Sequence, residues 1–189
     1  MAIKASRYLS HIRRLKEPAE PARQLMAAAA GLGDRLGPVL IQLPPDMTAA
    51  PSLLDACLAQ FPPGIRVAVE PRHPSWRTDQ VREVLTARGA ALCWADRQGE
   101  PQGPLRRTAD RGYLRFHEGD SSPWPRYQPE TLAARASRVL GTWPDTSPVY
   151  VYFNNDQHGA APSDAAGFGA SDALRGEAAH HAEFAACPR

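Results

Sequence analysis

Short apolar runs alternate with longer amphipathic stretches six times along this chain, and that alternation constrains the fold more than any other feature. Residues 2–6 read as a first strand, and residues 21–36 then place Leu25, Ala29, Leu32 and Leu36 at helical spacing before Gly37-Pro38. Residues 39–43 form a second run ended by Pro44-Pro45. Ser52 and Asp55 then resemble a capping box that opens a helix carrying Leu54, Leu58 and Phe61. Residues 66–70 are the third run, followed by a helix capped by Thr78 with Val81, Val84 and Leu85 on one face and Gly89 just past its end. Residues 91–95, 113–117 and 149–153 supply three more runs, with a helix over 129–140; residues 97–111, rich in Gly, Pro and Arg, read as an irregular crossover. Strands separated by helices of this length predict a parallel sheet buried on both faces, either doubly wound or closed as a barrel.

The chain has 189 residues, which suits one ordinary domain, and a formal net charge of +2, too small to name a polyanionic partner. Cys57, Cys93 and Cys187 are odd in number and scattered, so they read as buried thiols of a protein in the reducing cytoplasm rather than a disulfide framework or zinc knuckle. No stretch approaches the roughly 20 apolar residues of a membrane helix. The first residues lack the apolar core of a secretory signal.

Chemistry gathers at the carboxyl end of each run, where parallel α/β folds place their ligands. Lys4 and Arg7 close the first run, Gln42 the second, and Glu70, Arg72 and His73 the third. Asp96 follows the fourth, Arg115 and His117 the fifth, and Asn154, Asn155 and Asp156 the sixth. Strand alternation puts Arg66, Ala68 and Glu70 opposite Val67 and Val69. It likewise sets Tyr113, Arg115 and His117 opposite Leu114 and Phe116, and Tyr150, Tyr152 and Asn154 opposite Val149, Val151 and Phe153. Buried charges at these ends require partners, so Glu70 and Asp96 are expected to meet Arg115, Lys4 or a ligand.

The strings Lys4-Ala-Ser-Arg7-Tyr8-Leu9, Leu36-Gly-Pro-Val-Leu-Ile-Gln-Leu-Pro44-Pro45, Val69-Glu-Pro-Arg-His-Pro-Ser-Trp76, Tyr113-Leu-Arg-Phe-His117 and Tyr150-Val-Tyr-Phe-Asn-Asn-Asp156 resemble the YecE-like family, domain of unknown function 72. The resemblance runs in order over residues 2–165, the barrel domain it implies being 1–165, with an Ala/Gly-rich helix and tail over 166–189. It implies an α/β fold of the TIM-type (β/α) barrel, incomplete here, with about six of eight strand-helix units. Family members carry two further units before the Lys-Ala-Ser-Arg motif, roughly 60 residues, so an N-terminally truncated member is expected, with its first and last strands as bare edges.

Two functional readings come from different classes. In the first, an enzyme acts on an anionic or phosphorylated substrate, with Glu70, His117 and Asp96 as acid-base groups. Lys4, Arg7, Arg72 and Arg115 clamp its charge, and Gln42, His73, Trp76, Tyr152, Asn154, Asn155 and Asp156 complete the site. For His73 a turn role weighs about equally, and for Trp76 packing outweighs substrate stacking. The loops Glu118-Gly-Asp-Ser-Ser and Gln157-His-Gly-Ala-Ala are candidate phosphate binders. In the second reading the chain is a non-catalytic nucleic-acid or protein binding module, or an inactive fragment of the barrel. No cofactor is expected, since neither a P-loop nor a dinucleotide fingerprint is present. A divalent metal among Glu70, Asp96, His117 and Asp156 is a minor candidate. Glu177, His180 and His181 read as a solvated helix face.

Overall fold

The structure, a computed structural model, describes residues 1–143, 146–171 and 182–186, the last as backbone only. The chain folds as two compact units, Met1–Leu92 and Cys93–Arg189.

In unit one, four parallel strands pair in chain order: β1 (Ile3–Lys4), β2 (Val39–Gln42), β3 (Val67–Glu70) and β4 (Ala91–Leu92). They are joined by α1 (Ala19–Ala29), α2 (Pro51–Leu58) and α3 (Asp79–Ala87). Val39, Ile41, Val67 and Val69 are buried in one cluster with Leu54, Leu58, Val81 and Leu85 of the helices. At roughly 1.5–3 kcal/mol per buried side chain, that layer fixes the register. A slip of one residue would drive Gln42 and Glu70 into it.

Helix boundaries follow local chemistry. Thr78 Oγ1 accepts the Val81 N–H at 3.3 Å and Gly89 takes φ +59°, as the sequence predicts for the two ends of α3. The expected capping box of α2 does not form. Pro51 is the first helical residue and Ala50 the cap, which puts Ser52 inside the first turn. Asp55 instead takes a two-pronged grip from Arg88 at the end of α3, at 2.6 and 2.8 Å. α1 stops earlier than periodicity predicts and passes into a 3₁₀ segment, Ala30–Arg35, where Gly33 adopts φ +49°.

Unit two carries a five-stranded sheet in the order β6-β5-β7-β8-β9. Here β5 is Trp94–Arg97, β6 Glu100–Pro101, β7 Gly112–Phe116, β8 Val149–Phe153 and β9 Ala182–Ala186; α4 (Pro129–Leu140) and α5 (Ala160–Gly169) fall between them. Leu114, Phe116, Val151 and Phe153 pack with Leu132, Ala136, Val139 and Phe168, and the Phe116 and Phe153 rings stack at 4.6 Å.

Three expectations change. The run at 91–95 is not one strand: it divides at Cys93, with β4 in the first sheet and β5 in the second. Residues 97–111 include β6, which turns back antiparallel to β5 through Gln98 and Gly99 at φ +55° and +76°, the signature of a tight hairpin. The tail is more than a weak helix: α5 begins before residue 166, and residues 182–186 pair parallel with β8 from Val149↔Ala182 to Phe153↔Ala186, so β8 is not a bare edge. Glu177, His180, His181 and Cys187 lie outside the described residues.

The described strands form two sheets, one parallel and one mixed, in an α/β fold, and no closed barrel is found among them. No helix among the described residues is long and apolar enough to cross a membrane. Cys57 and Cys93 are buried free thiols; burial pushes the Cys57 thiol up to about 12, so it is inert near neutral pH.

Candidate functional site

Unit one gathers a polar chain at the carboxyl ends of its first three strands. Leu40, Gln42, Ala68 and Glu70 alternate with the apolar residues that face the helices, and Gln42 stands in register with Glu70. Lys4 Nζ donates to Gln42 Oε1 at 2.8 Å, Gln42 Nε2 donates to Glu70 Oε1 at 2.8 Å, and Arg72 Nε approaches the same oxygen at 3.3 Å. Glu70 is 1% exposed, whereas Lys4 and Arg72 reach solvent. The Gln42 amide spends both ends, so its orientation is set and so is that of the carboxylate it holds.

The segment after β1 brings in a residue the strand-end reading missed. Residues Tyr8–Ile12 form a single π-turn, a wide turn that recurs at functional sites. Arg7 occupies its cap position, and His11 lies four residues further on. His11 Nδ1 is 2.8 Å from the hydroxyl of Ser10, which is 1% exposed. Burial holds the His11 imidazole below its ordinary value, and the charges of Arg7, Lys4 and Arg72 push it the same way, with Asp46 opposing. The spacing of Arg7 and His11 after a strand end was the available signal. The chain leaves this turn through Arg14, Leu15 and Glu17, all at positive φ, with Leu15 fully buried as the anchor that holds them. Arg14 pairs with Asp46, and Arg13 with Glu17.

Two residues of the Glu70 segment serve the turn itself. His73 Nδ1 accepts the Ser75 N–H at 3.2 Å and caps the 3₁₀ turn Pro74–Trp76, with the Ser75 hydroxyl 2.8 Å away. Trp76 is 2% exposed, packs in the apolar cluster, and donates its indole N–H to the Met47 carbonyl at 2.7 Å, so it is a core residue rather than a stacking surface.

Unit two sorts its candidates onto two faces. Arg115, 7% exposed, stands in register with Tyr152, and the Tyr113 and Tyr152 rings lie 5.0 Å apart on the same side. His117 follows directly, its backbone N–H donating to the Asp96 carbonyl at 3.0 Å. Asn154 donates its backbone N–H to Phe116 at 2.7 Å and keeps a buried Oδ1 with no hydrogen-bond partner. Asp156 is exposed and stands at the N-terminal end of a 3₁₀ turn without a side-chain capping bond.

Asp96 and Asn155 face the other way. Asp96 is in register with Phe116, on the side of α4, where Arg135 Nε meets its Oδ2 at 2.9 Å. Its expected partners were Arg115, Lys4 or a ligand; strand parity places it opposite Arg115 instead. Burial raises the Asp96 carboxyl above its ordinary value, and Arg135 offsets part of that. Asn155 donates to Asp164 Oδ2 at 2.6 Å and to the Pro125 carbonyl at 2.9 Å, while Asp164 also accepts the Tyr127 N–H at 3.0 Å. Both residues therefore brace the chain between β7 and α4. Sequence reading missed Arg135, Tyr127 and Asp164, whose roles depend on tertiary partners.

In the loop after β7, two amides are engaged within the protein. Gly119 N–H donates to the Pro125 carbonyl and Ser121 N–H to the Arg126 carbonyl, and a Cβ at Gly119 would collide with the Arg126 carbonyl oxygen. Glycine is needed there for close approach, not flexibility. Among the described residues, no group of three or more His, Cys, Asp or Glu side chains is placed to hold a metal ion.

An α/β protein with polar groups at the carboxyl ends of parallel strands is the class these observations define. The chain matches the family described as protein of unknown function DUF72 over residues 1–185 and belongs to that family, of which YecE-like is another name. It is similar to the solved structure of a DUF72 family protein from Thermotoga maritima, with 23% identity and a TM-score of 0.72 over 92% of this chain and 70% of that one. A DUF72 family protein from Enterococcus faecalis gives 19% identity and a TM-score of 0.70, over 85% of this chain and 67% of that one. These likenesses establish the fold. No curated relative matches the chain.

Proposed function

We propose that this DUF72 protein is an enzyme that binds an anionic small molecule at the carboxyl ends of β1, β2 and β3 and moves a proton through Glu70. The observation that carries the reading is the hydrogen-bonded chain Lys4–Gln42–Glu70–Arg72, in which a buried carboxylate is oriented by an amide and flanked by solvent-reaching cations. Lys4, Arg7 and Arg72 attract and position the anion. Glu70, fixed by Gln42, is the acid-base group, because its rigid orientation satisfies the geometric demand of proton transfer. The TIM-type barrel reading rests on the parallel strand-helix alternation within each unit, and the cytoplasmic setting on the buried free thiols of Cys57 and Cys93.

Calorimetric titration with sulfate tests the site. Replacing Lys4 or Arg72 by Met is expected to weaken binding about tenfold, the size of a lost charge-assisted hydrogen bond. Glu70→Gln is expected to tighten it, since the substitution removes a negative charge beside the anion. Unchanged affinity in all three variants would refute the site. Filter retention of RNA or DNA that falls steeply with salt would favour a nucleic-acid backbone over a small molecule.

A further inference from the structure

We propose that Arg13–Glu17 is a strained strap, clasped onto Asp46 by Arg14, which holds the turn next to Arg7 in place and opens as a local unit. Contacts and backbone geometry define the strap; its effect on ligand rests on the anion-binding reading above.

Strain is concentrated in this segment. Among the described residues, five that are not glycine take positive φ, and three of them lie within four positions: Arg14 at +48°, Leu15 at +64° and Glu17 at +46°. An L-residue there bears a steric cost that glycine avoids. Each of the three carries a side chain that holds the segment, a task glycine could not perform. Leu15 is fully buried in the core cluster of unit one, Arg14 reaches Asp46, and Glu17 pairs with Arg13. Backbone in such a conformation persists only while its surroundings over-determine it.

The strap is bonded directly to the turn before it. Arg13 N–H donates to the Tyr8 carbonyl at 2.8 Å, Leu15 N–H to the Leu9 carbonyl at 3.1 Å, and Arg13 Nε to the Tyr8 hydroxyl at 2.8 Å. Tyr8 and Leu9 open the π-turn that Arg7 flanks, so the placement of Arg7 depends on these bonds.

The segments that follow the first three strands are tied to one another unequally. Between those after β2 and β3, the Trp76 indole donates to the Met47 carbonyl at 2.7 Å and Ala49 N–H to Ser75 Oγ at 2.8 Å, with Trp76 and Met47 both buried. Between those after β1 and β2, Arg14 grips the carboxylate and the backbone carbonyl of Asp46, and the two side chains are 42% and 65% exposed. Pro44 and Pro45 stiffen the path from Gln42 to Asp46, which makes Asp46 a fixed post. Solvent competes for an exposed pair, so this joint is the one that releases. A surface clasp over a strained backbone gives a segment that springs open when the clasp fails.

Amide hydrogen exchange reads the strap directly. The amides of Val39 and Leu43, which donate to the Arg66 and Glu70 carbonyls, report unit one as a whole. Asp46→Ala should speed exchange of the Arg13 and Leu15 amides about threefold, the size of a lost exposed pair, and leave Val39 and Leu43 unchanged. Glu17→Gly relieves strain at an exposed position and should slow the same two amides about threefold; combined with Asp46→Ala it should return them close to the wild-type rate. Unchanged rates in Asp46→Ala, an acceleration shared by Val39 and Leu43, or faster strap exchange in Glu17→Gly overturns the strap. In the wild type, sulfate at about ten times its dissociation constant should slow the Arg13 and Leu15 amides about tenfold, because the anion favours the closed form. Sulfate that binds by calorimetry without slowing them leaves the anion site standing and overturns the strap's action on ligand. No sulfate binding overturns the site and that action together, while exchange in the variants still decides the strap.

Discussion

Glu70 and Asp96 are both buried acids near the carboxyl end of a strand, yet they belong to different kinds of environment. Glu70 aligns with Gln42 on the face away from the helices of unit one and is held by an amide and by Arg72, whose side chain is 35% exposed. Asp96 aligns with Phe116 on the helix face of unit two and is held by Arg135, whose side chain is 17% exposed. One strand position decides the difference, because the side-chain period of a strand is two. A buried acid gripped by a half-buried arginine of the neighbouring helix is spent on holding that helix to the sheet. One tied to solvent-reaching cations is, in the proposed reading, the acid that serves a ligand.

The sharpest way to break this comparison is Arg135→Met. Leaving Asp96 buried without its partner is expected to cost about 4 kcal/mol of stability near neutral pH, measured by urea unfolding, with sulfate binding unaffected. The pH dependence has a definite sign. Burial raises Asp96 in the folded state, so its ionised form costs stability above that raised value and the cost is relieved as pH falls through it. The deficit of Arg135→Met should therefore shrink in acid, and a deficit that grows there would contradict the assignment. Glu70→Gln should show the opposite profile, costing about 1 kcal/mol of stability because an amide oxygen still accepts from Gln42 and Arg72, while abolishing turnover once a substrate is known. The smallest effect is expected for Asp55→Ala, at about 0.5 kcal/mol, since the Asp55 and Arg88 side chains are 42% and 38% exposed and solvent screens the pair.

Strand-helix alternation made most of the architecture readable, because apolar periodicity is a local property. Thr78, Gly89 and the parity of Val67, Val69 and Glu70 were all visible in the chain. Interruptions were less visible. Nothing local marks Cys93 as the place where one sheet ends and another begins, since both flanking runs are apolar. The strand at 182–186 arises from pairing with β8, in a segment whose composition suggests a tail. At the site, Lys4, Gln42, Glu70 and Arg72 were legible because strand ends carry ligands, and Asp96 was misplaced because its alignment with Phe116 depends on register. His11 was passed over because a π-turn has no sequence signature as clear as a cap or a glycine.

The pairing of residues 182–186 against β8 also has a consequence in time. The ribosome makes every other strand of that sheet first, so the outer rim of β8 stays open until those five residues emerge. During that interval a nascent chain offers an unfilled row of amides and carbonyls to a chaperone, or to the same rim of a neighbour on the polysome.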